Sequence, residues 1–302
     1  MSSIDQIRAR LGWGASQSSD HPVIEVLTPG DLRELRLPWL SRFSAATLAR
    51  HIESYPGMAL WVPETGEYVV AEPWRNRAEI ASIIEVTARK GKAALIQSAL
   101  MRLAGSGHSL ALLSTEIWRD QTKLYTDLGF ERVETIVFFE LPFKREPGGG
   151  VILPLDESRL PRLDYAPAEP ALLDILLQVD HDSFPWLWWN SRSEFEHYLQ
   201  MPGVEAYIAS YAGQAVGYAS FTLYQGWAHL DRLAVITGAQ GRKFGAAQLA
   251  YSLQLMAQKG ANSVALSTQA DNFQSHRLYK GFGFHQTSEN LSFYGRWLKV
   301  GN

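Results

Sequence analysis

Residues 235–249 read Val-Ile-Thr-Gly-Ala-Gln-Gly-Arg-Lys-Phe-Gly-Ala-Ala-Gln-Leu, an apolar strand that enters an amphipathic helix through a glycine-bearing loop. The first N–H groups of a helix have no partner within it, and the helix dipole favours negative charge there. Gly241 and Gly245 let the backbone approach a diphosphate closely, and Arg242 and Lys243 add positive charge. The segment predicts an anion site. The alternative is an ordinary strand-to-helix turn, because neither a Walker loop nor a dinucleotide fingerprint is present.

The two halves of the chain repeat the same short motifs in the same order. Leu124–Phe130 (LYTDLGF) corresponds to Leu278–Phe284 (LYKGFGF). A helical apolar stripe at i, i+4 and i+7 precedes each motif. Motifs that recur in order predict a duplicated domain, in which each half reads strand, helix, strand, helix, strand. The stripe residues are Ile96, Leu100 and Leu103 in the first half and Leu249, Leu253 and Met256 in the second.

A charged stretch rich in proline and glycine, residues 143–150, separates the halves. Such a composition cannot continue a helix or a central strand. The sequence therefore predicts a flexible segment over residues 1–20, a first domain over 21–150 and a second over 151–302. In the second half we expect a helix over 170–179 and a short helix over 193–199 with Ser193 as its N-cap.

The loop and the later motif together resemble the GCN5-related N-acetyltransferase (GNAT) superfamily over roughly residues 165–300. The family's acyl-CoA loop reads Gln/Arg-x-x-Gly-x-Gly/Ala, which this chain matches at Gln240 and Gly245. Lys243 stands where the family has glycine, so a positive φ there would strain the loop. The resemblance implies an α/β fold of two GNAT-like domains, each with a mixed, mostly antiparallel sheet flanked by helices.

The resemblance also implies an acetyl-CoA site in the second half and no metal. Asn272, with Ser275, would contact the pantetheine arm, and Tyr279 would protonate the departing thiolate, unless it is only a core tyrosine. Backbone groups of Leu233, Ala234 and Val235 would polarise the thioester carbonyl and pair with the pantetheine. The loop residues expected to hold the diphosphate are Gln240, Gly241, Arg242, Lys243, Phe244, Gly245 and Ala246.

The reaction implied is direct attack of a neutral amine on the thioester, which often uses a base. His229 and Asp231 are candidates, because strand alternation places them on one face. Their alternative is a structural pair of polar side chains. Residues 180–182 (Asp-His-Asp) form a second candidate cluster, for which a metal site is not favoured because no further ligands follow at a suitable spacing.

An aromatic loop holds Trp186, Trp188 and Trp189, where acceptor clefts of the family are often walled. The tryptophans either form a wall for an apolar, planar or cationic acceptor or cover a domain interface.

The first half resembles a degenerate copy of the second, in which motif residues have been lost. Trp118 stands at the position of Asn272, and the loop between Val86 and Ile96 is shorter by about four residues. A shortened loop cannot wrap a diphosphate in the same way. We therefore expect the first half to bind acyl-CoA poorly or not at all, with Tyr125 as a packing residue.

Composition limits the function further. The chain has 302 residues, a formal net charge of −3 and no cysteine, which excludes disulfides and a cysteine nucleophile. The charge gives no support for a nucleic-acid partner, and no apolar run predicts a membrane span or signal peptide, so a cytoplasmic protein is expected.

The favoured function is an N-acetyltransferase acting on a small-molecule or peptide amine. The alternatives are a non-catalytic module that binds CoA or a metabolite and an aminoacyl-transferase of related fold. The sequence leaves the acceptor, the base and the oligomeric state open.

Overall fold

The computed structural model describes residues 22–115, 121–145, 151–154 and 156–298. The predicted flexible segment (1–20), Trp118 and the glycine-rich part of the predicted break (146–150) lie outside these residues. The described residues group into two compact units, each defined by the contacts within it. One comprises the described residues up to Ala71 together with Ile84–Arg102, and the other comprises Glu72–Ile83 and the described residues from Leu103 onwards.

The first unit packs an antiparallel ribbon against a capped helix. Ser44 is the N-cap and accepts a hydrogen bond from the N–H of Thr47, which supplies a partner for one of the unpaired donors at the helix start. Leu48 and Ile52 of this helix are buried with Tyr68 of the ribbon. The elements that begin in this part of the chain are β1 (Glu25–Val26), α1 (Ala45–Ser54), β2 (Ala59–Val62), β3 (Glu67–Pro73) and α2 (Lys92–Gly105).

The second unit holds the remaining strands and helices. The helix over Phe244–Gln258 buries the apolar stripe seen in the sequence, since Leu249, Leu253 and Met256 are all fully buried. The elements are β4 (Ile80–Thr87), β5 (Leu110–Thr115), α3 (Thr122–Asp127), β6 (Glu131–Pro142), β7 (Asp164–Pro167), α4 (Leu173–Ser183), α5 (Arg192–Tyr198), β8 (Val204–Tyr211), β9 (Gln214–Leu223), β10 (Ala228–Val235), α6 (Phe244–Gln258), β11 (Ser263–Gln269), α7 (Phe273–Gly281) and β12 (His285–Trp297).

The sheet of the second unit is mixed and mostly antiparallel, as expected, and runs β4-β5-β12-β6-β11-β10-β9-β8-β7. Two parallel pairs, β4 with β5 and β10 with β11, occupy corresponding positions in the two halves of the sequence. This correspondence agrees with the duplication that the repeated motifs predict.

The last strands of the two sequence halves are exchanged. β12 lies between β5 and β6, and β6 pairs with β11 of the second half. No local sequence pattern predicts this exchange. Residues of the first half therefore contribute to the strand layer beside β10 and β11, while the division near residue 150 stays a prediction.

Two helix boundaries differ from the expected ones. α4 covers Leu173–Ser183 rather than 170–179, after a short 3-10 turn at Pro170–Leu172. α5 is capped by Ser191, which accepts from the N–H of Glu194, so the assignment of Ser193 as N-cap was wrong. Both serines precede an acidic residue by three, and the sequence alone did not separate them. Among the described helices, none is long and apolar enough to cross a bilayer.

Candidate active-site cleft

A cleft of about 840 Å³ opens in the second unit where β10 and β11 separate. Their parallel pairing ends at Leu230 and Leu266, and a β-bulge interrupts the β9–β10 pairing between Leu230 and Arg232. A bulge bends its strand, so β10 turns away from β11. The sequence-predicted residues that line the cleft are Trp188, Asp231, Leu233, Ala234, Val235, Gln240, Gly241, Lys243, Phe244, Gly245, Ala246, Asn272, Ser275 and Tyr279.

Four other predicted site residues do not line the cleft. Arg242 lies over the rings of Tyr211 and Phe244, with its guanidinium carbon 5.0 and 4.7 Å from their centroids. His229 lies further along β10 and reaches the cleft only through Asp231. The other two are Trp186 and Trp189.

The three tryptophans do not act as one wall. Trp186 stacks with the guanidinium of Arg77, and Trp189 stacks with His181 at a ring separation of 4.6 Å. Trp188 is buried and lines the cleft. Of the three tryptophans, Trp188 alone lines the described cleft.

The loop between β10 and α6 presents backbone donors to the cleft. Gly241 has φ 78°. The first bond within α6 is donated by Ala247 to the carbonyl of Lys243, so the N–H groups of Phe244, Gly245 and Ala246 precede the helical bonding pattern. Three consecutive donors at the positive end of a helix dipole suit an anion.

Lys243 adopts the left-handed backbone conformation that the resemblance implied, with φ 63°. A side chain with a Cβ is strained there, whereas glycine is not. We expect Lys243→Gly to raise the free energy of unfolding by roughly 1 kcal/mol, measured by urea denaturation. The matched control is Arg242→Gly, which lies outside the positive-φ residues and loses two ring contacts, so it should destabilise. A destabilised Lys243→Gly protein contradicts the strain argument.

Backbone groups at the end of β10 divide between two directions. The N–H of Ile236 donates to the carbonyl of Val216 on the β9 side. Because an antiparallel pair alternates, the backbone groups of Ala234 also point to β9, and those of Leu233 and Val235 point to the open edge. The predicted contribution of Ala234 to ligand pairing therefore falls to its two neighbours.

Gly217 fixes the helix α6 against this part of the sheet. Gln248 Nε2 donates to the carbonyl of Ala234 at 3.1 Å. A Cβ on Gly217 would lie 2.2 Å from that carbonyl oxygen and 2.5 Å from Nε2. The missing side chain thus allows the close approach of β9, β10 and α6 beneath the loop.

The second motif places Asn272, Ser275 and Tyr279 along the cleft side of α7. Asn272 is the helix N-cap, and its Oδ1 accepts from the N–H of Ser275. Burial raises the pKa of Tyr279 to about 12, and the Ser275 hydroxyl partly opposes that rise. The phenol is therefore protonated at neutral pH and can donate a proton into the cleft.

Asp231 and His229 form the pair that the alternation predicted. His229 Nδ1 lies 2.7 Å from one carboxylate oxygen of Asp231, and the other oxygen accepts from Tyr198 and Thr222 at 2.6 and 2.7 Å. Burial, followed by the Asp231 charge, raises the pKa of Tyr198 well above its ordinary value. With three donors around it, Asp231 is better suited to orient His229 than to take a proton itself.

Glu134 is a cleft carboxylate that the sequence analysis missed. It lies on β6, and its Oε1 accepts from the N–H of Thr135 at 3.0 Å. Burial raises its pKa above the ordinary value, the Thr135 N–H opposes this, and the charge of Asp271 adds to it. Only the strand exchange brings this residue of the first half to the cleft.

The Asp-His-Asp cluster of residues 180–182 is structural in its contacts. Asp180 is fully buried and accepts from Tyr218 and from the N–H of Asn190. His181 Nε2 bonds to the carbonyl of Asn190 at 2.9 Å, and Asp182 accepts from the N–H of Thr237. The described residues contain no group of three His, Asp or Glu placed to hold a metal ion.

The corresponding loop of the first half is both shorter and already occupied. Four residues separate β4 from α2, against eight between β10 and α6. The N–H groups of Arg89 and Lys90 donate to Oε1 of Glu67 at 2.7 and 3.3 Å. A carboxylate of the chain itself thus uses donors that an anion would need, which supports the expectation of poor acyl-CoA binding in this half.

Comparisons with known proteins match this geometry. Residues 173–284 match the model of the acetyltransferase (GNAT) family. No curated protein matches the chain. A GCN5-related N-acetyltransferase from Sphaerobacter thermophilus is 14% identical, with a TM-score of 0.62 over 94% of this chain and 98% of that one.

Two further solved structures share the fold along most of the chain. A tandem GNAT protein from the clavulanic acid biosynthesis pathway is 13% identical, with a TM-score of 0.56 over 93% of this chain and 100% of that one. A protein from Enterococcus faecalis V583, described as a probable N-acyltransferase, is 13% identical, with a TM-score of 0.63 over 93% of this chain and 73% of that one. At these identities the likeness shows the fold alone.

Proposed function

Because residues 173–284 form a domain of the GNAT acetyltransferase family, we propose that this protein transfers an acetyl group from acetyl-CoA to a primary amine by direct attack. The observation that carries the proposal is the opening between β10 and β11, with the donors at the start of α6 at one side and Tyr279 within it. We place one working site in the second half.

The chain offers matching partners for each part of the donor. The N–H groups at the start of α6, with Lys243, would hold the diphosphate. The open-edge backbone groups of Leu233 and the N–H of Val235 would pair with the pantetheine amides, as one strand pairs with the next, while the Val235 carbonyl already accepts from Nε2 of Gln240 at 3.2 Å. Acetyl-CoA supplies an activated thioester carbonyl to which the amine adds.

Glu134 is the group best placed to receive the proton of the attacking amine. It lines the cleft and accepts one backbone hydrogen bond, whereas Asp231 already accepts three hydrogen bonds and His229 stands behind it. A carboxylate whose pKa is raised is a stronger base than an ordinary one. The pair His229–Asp231 is the alternative base, acting through water.

Tyr279 would act at the other end of the reaction. The thiolate of CoA leaves when the tetrahedral intermediate collapses, and a neighbouring phenol can protonate it. The raised pKa keeps the phenol of Tyr279 protonated before the thiolate leaves.

Calorimetry with acetyl-CoA tests the proposal. We expect wild-type protein to bind, and Gly245→Trp to lose binding because its indole would fill the space beside the first N–H groups of α6. Gly245→Ala is the matched control, since its Cβ would meet Leu278 and Val235 at an ordinary 3.6 Å and so preserves the fold. Wild-type protein that releases no heat with acetyl-CoA overturns the proposal.

Two alternatives are separated by further outcomes. Binding of acetyl-CoA without CoA release in a broad amine panel favours a non-catalytic module, which the strained Lys243 motivates. Transfer from aminoacyl-tRNA favours a related aminoacyl-transferase, against which the net charge of −3 argues. A cytoplasmic location and a small-molecule or peptide acceptor are part of the proposal.

A further inference from the structure

Two arginines, Arg75 and Arg232, line the same cleft at its bulge end. Both donate to Oδ1 of Asn190, and Arg232 also donates to the carbonyl of Trp188 at 2.7 Å. Two guanidinium groups that share one neutral acceptor stand close enough to repel each other. This arrangement needs a compensating anion.

One carboxylate, the fully buried Asp180, contacts the pair, so a single negative charge in contact faces two guanidinium groups. Asp180 lies 3.4 Å from Nη1 of Arg232 and is also held by Tyr218. Glu194 accepts from the side chain of Asn76 at 2.8 Å. Within the part of the chain that the structure describes, no carboxylate forms an ion pair with Arg75.

Arg75 keeps one edge of its guanidinium without a partner. Its only hydrogen bond in the described structure runs from Nη1 to Asn190, and its buried Nε has none. Nη2, which also has no partner in the described structure, can bind a carboxylate oxygen directly, whereas Nε on the same edge is covered and takes the second oxygen only when its neighbours shift. Burial, with repulsion from Arg232 as the next cause, lowers the pKa of Arg75 to about 9, so the group is still charged at neutral pH.

The backbone at Arg75 is strained as well. Arg75 and Asn76 have φ 53° and 52°, which non-glycine residues adopt at a cost. The rings of Trp74 and Trp188, each 5.4 Å from the guanidinium carbon, hold the side chain in place. Strain of this kind occurs more often at functional sites than elsewhere.

Among the described residues Glu134 forms no ion pair with Arg75 or Arg232, and Arg232 pairs with Asp180. Trp188 lies beside both groups, since its ring is 5.4 Å from the guanidinium carbon of Arg75 and its side chain lowers the pKa of Glu134. The cleft thus offers a carboxylate to an amine and two arginines to an anion.

Resting on the proposed acetyl transfer, we propose that the acceptor is an amino acid or a similar amine with a carboxylate, and that Arg75 and Arg232 bind this carboxylate. The amine then lies towards Glu134. Trp188, Phe184 and Phe293, which also line the cleft, favour an apolar or aromatic body for the acceptor.

Matched acceptors test this specificity. The release of CoA from acetyl-CoA is measured with phenylalanine, phenylalaninamide and phenethylamine, and with the same three forms of leucine and tryptophan. We expect kcat/KM for the carboxylate form to exceed that for the amide at least tenfold. Arg75→Gln should remove this preference, mostly through KM, while the Kd of acetyl-CoA stays unchanged.

Controls separate binding from folding. Arg192→Gln removes an exposed arginine paired with Asp174 and should keep the preference. Arg75→Lys keeps the charge but lacks the two-bond edge, so it should give an intermediate preference and remains informative if Arg75→Gln does not fold.

The outcomes distinguish the two proposals. Acetylation of the amides or simple amines as efficiently as the amino acids, or an unchanged preference in Arg75→Gln, overturns the carboxylate proposal and leaves acetyl transfer standing. Wild-type protein that does not bind acetyl-CoA overturns both.

Discussion

Tyr279→Phe is expected to lower kcat at least about 100-fold while the Kd of acetyl-CoA stays within about twofold, the size of effect typical of losing a general acid. The variant removes one hydroxyl from a buried ring. The ring contacts with Phe139 and Phe284, at centroid distances of 6.0 and 5.7 Å, remain. The free energy of unfolding should therefore change by only about 1 kcal/mol.

Steady-state release of CoA and calorimetry with acetyl-CoA check this prediction together. Unchanged turnover would show that Tyr279 is a packing residue and that the thiolate leaves without this acid. Lost acetyl-CoA binding would instead point to a damaged fold or to a hydroxyl that binds the donor.

The base has its own signature in the pH profile. Because the pKa of Glu134 is raised, kcat/KM should fall as pH drops through that raised value, where the carboxylate takes up a proton. Glu134→Gln should abolish this acidic limb and leave a low, flat rate. His229→Gln is the matched control, and loss of the limb in that variant alone would move the role to the His229–Asp231 pair.

Local sequence signals predicted the loop between β10 and α6 well. The lysine at the position where the family has glycine raised strain from a positive φ as a condition, and Lys243 has φ 63°. The loop is short and its geometry depends on neighbours in the chain. Strand alternation likewise predicted that His229 and Asp231 share a face.

The acceptor side of the cleft was not predictable in this way. Glu134 reaches it because the last strands of the two halves are exchanged, and no local pattern records which copy of a duplicated strand pairs with which neighbour. Arg75 belongs to the stretch Pro73–Arg77, whose two arginines beside a tryptophan were visible. Its left-handed backbone was not, because nothing in that stretch calls for glycine.

The aromatic loop shows a different limit. The sequence indicated that Trp186, Trp188 and Trp189 either wall an acceptor cleft or cover a domain interface, but not which ring faces the cleft. The short 3-10 turn at Trp186–Trp188 decides this, since it directs neighbouring side chains to different sides. Trp189 is further fixed by the bond from its Nε1 to the carbonyl of Phe184.

Asp180→Asn is expected to give the largest loss of stability, about 3 kcal/mol in the free energy of unfolding. The change keeps the size of the side chain and removes the one buried negative charge in contact with Arg232. Removing one partner of a buried ion pair leaves the other charge without compensation, which costs roughly 3–5 kcal/mol. Guanidinium denaturation measures the loss, and Asp182→Asn, at an exposed site that holds the turn at Thr237, should cost about 1 kcal/mol.

A second substitution shows whether the arginine pair is the cause. If Asp180 offsets the repulsion between Arg75 and Arg232, adding Arg75→Gln to Asp180→Asn should restore at least about 1 kcal/mol of the free energy of unfolding. The reason is that contacting charges couple in a double-mutant cycle. Strict additivity of the two changes would mean that the charge of Arg75 is balanced elsewhere. The arginine pair would then have no uncompensated charge to attract the acceptor carboxylate. Two results together would support the proposal: recovery of stability in the double variant, and lost discrimination between phenylalanine and phenylalaninamide in Arg75→Gln. They would show that the uncompensated charge of Arg75 affects both the stability of the protein and its acceptor specificity.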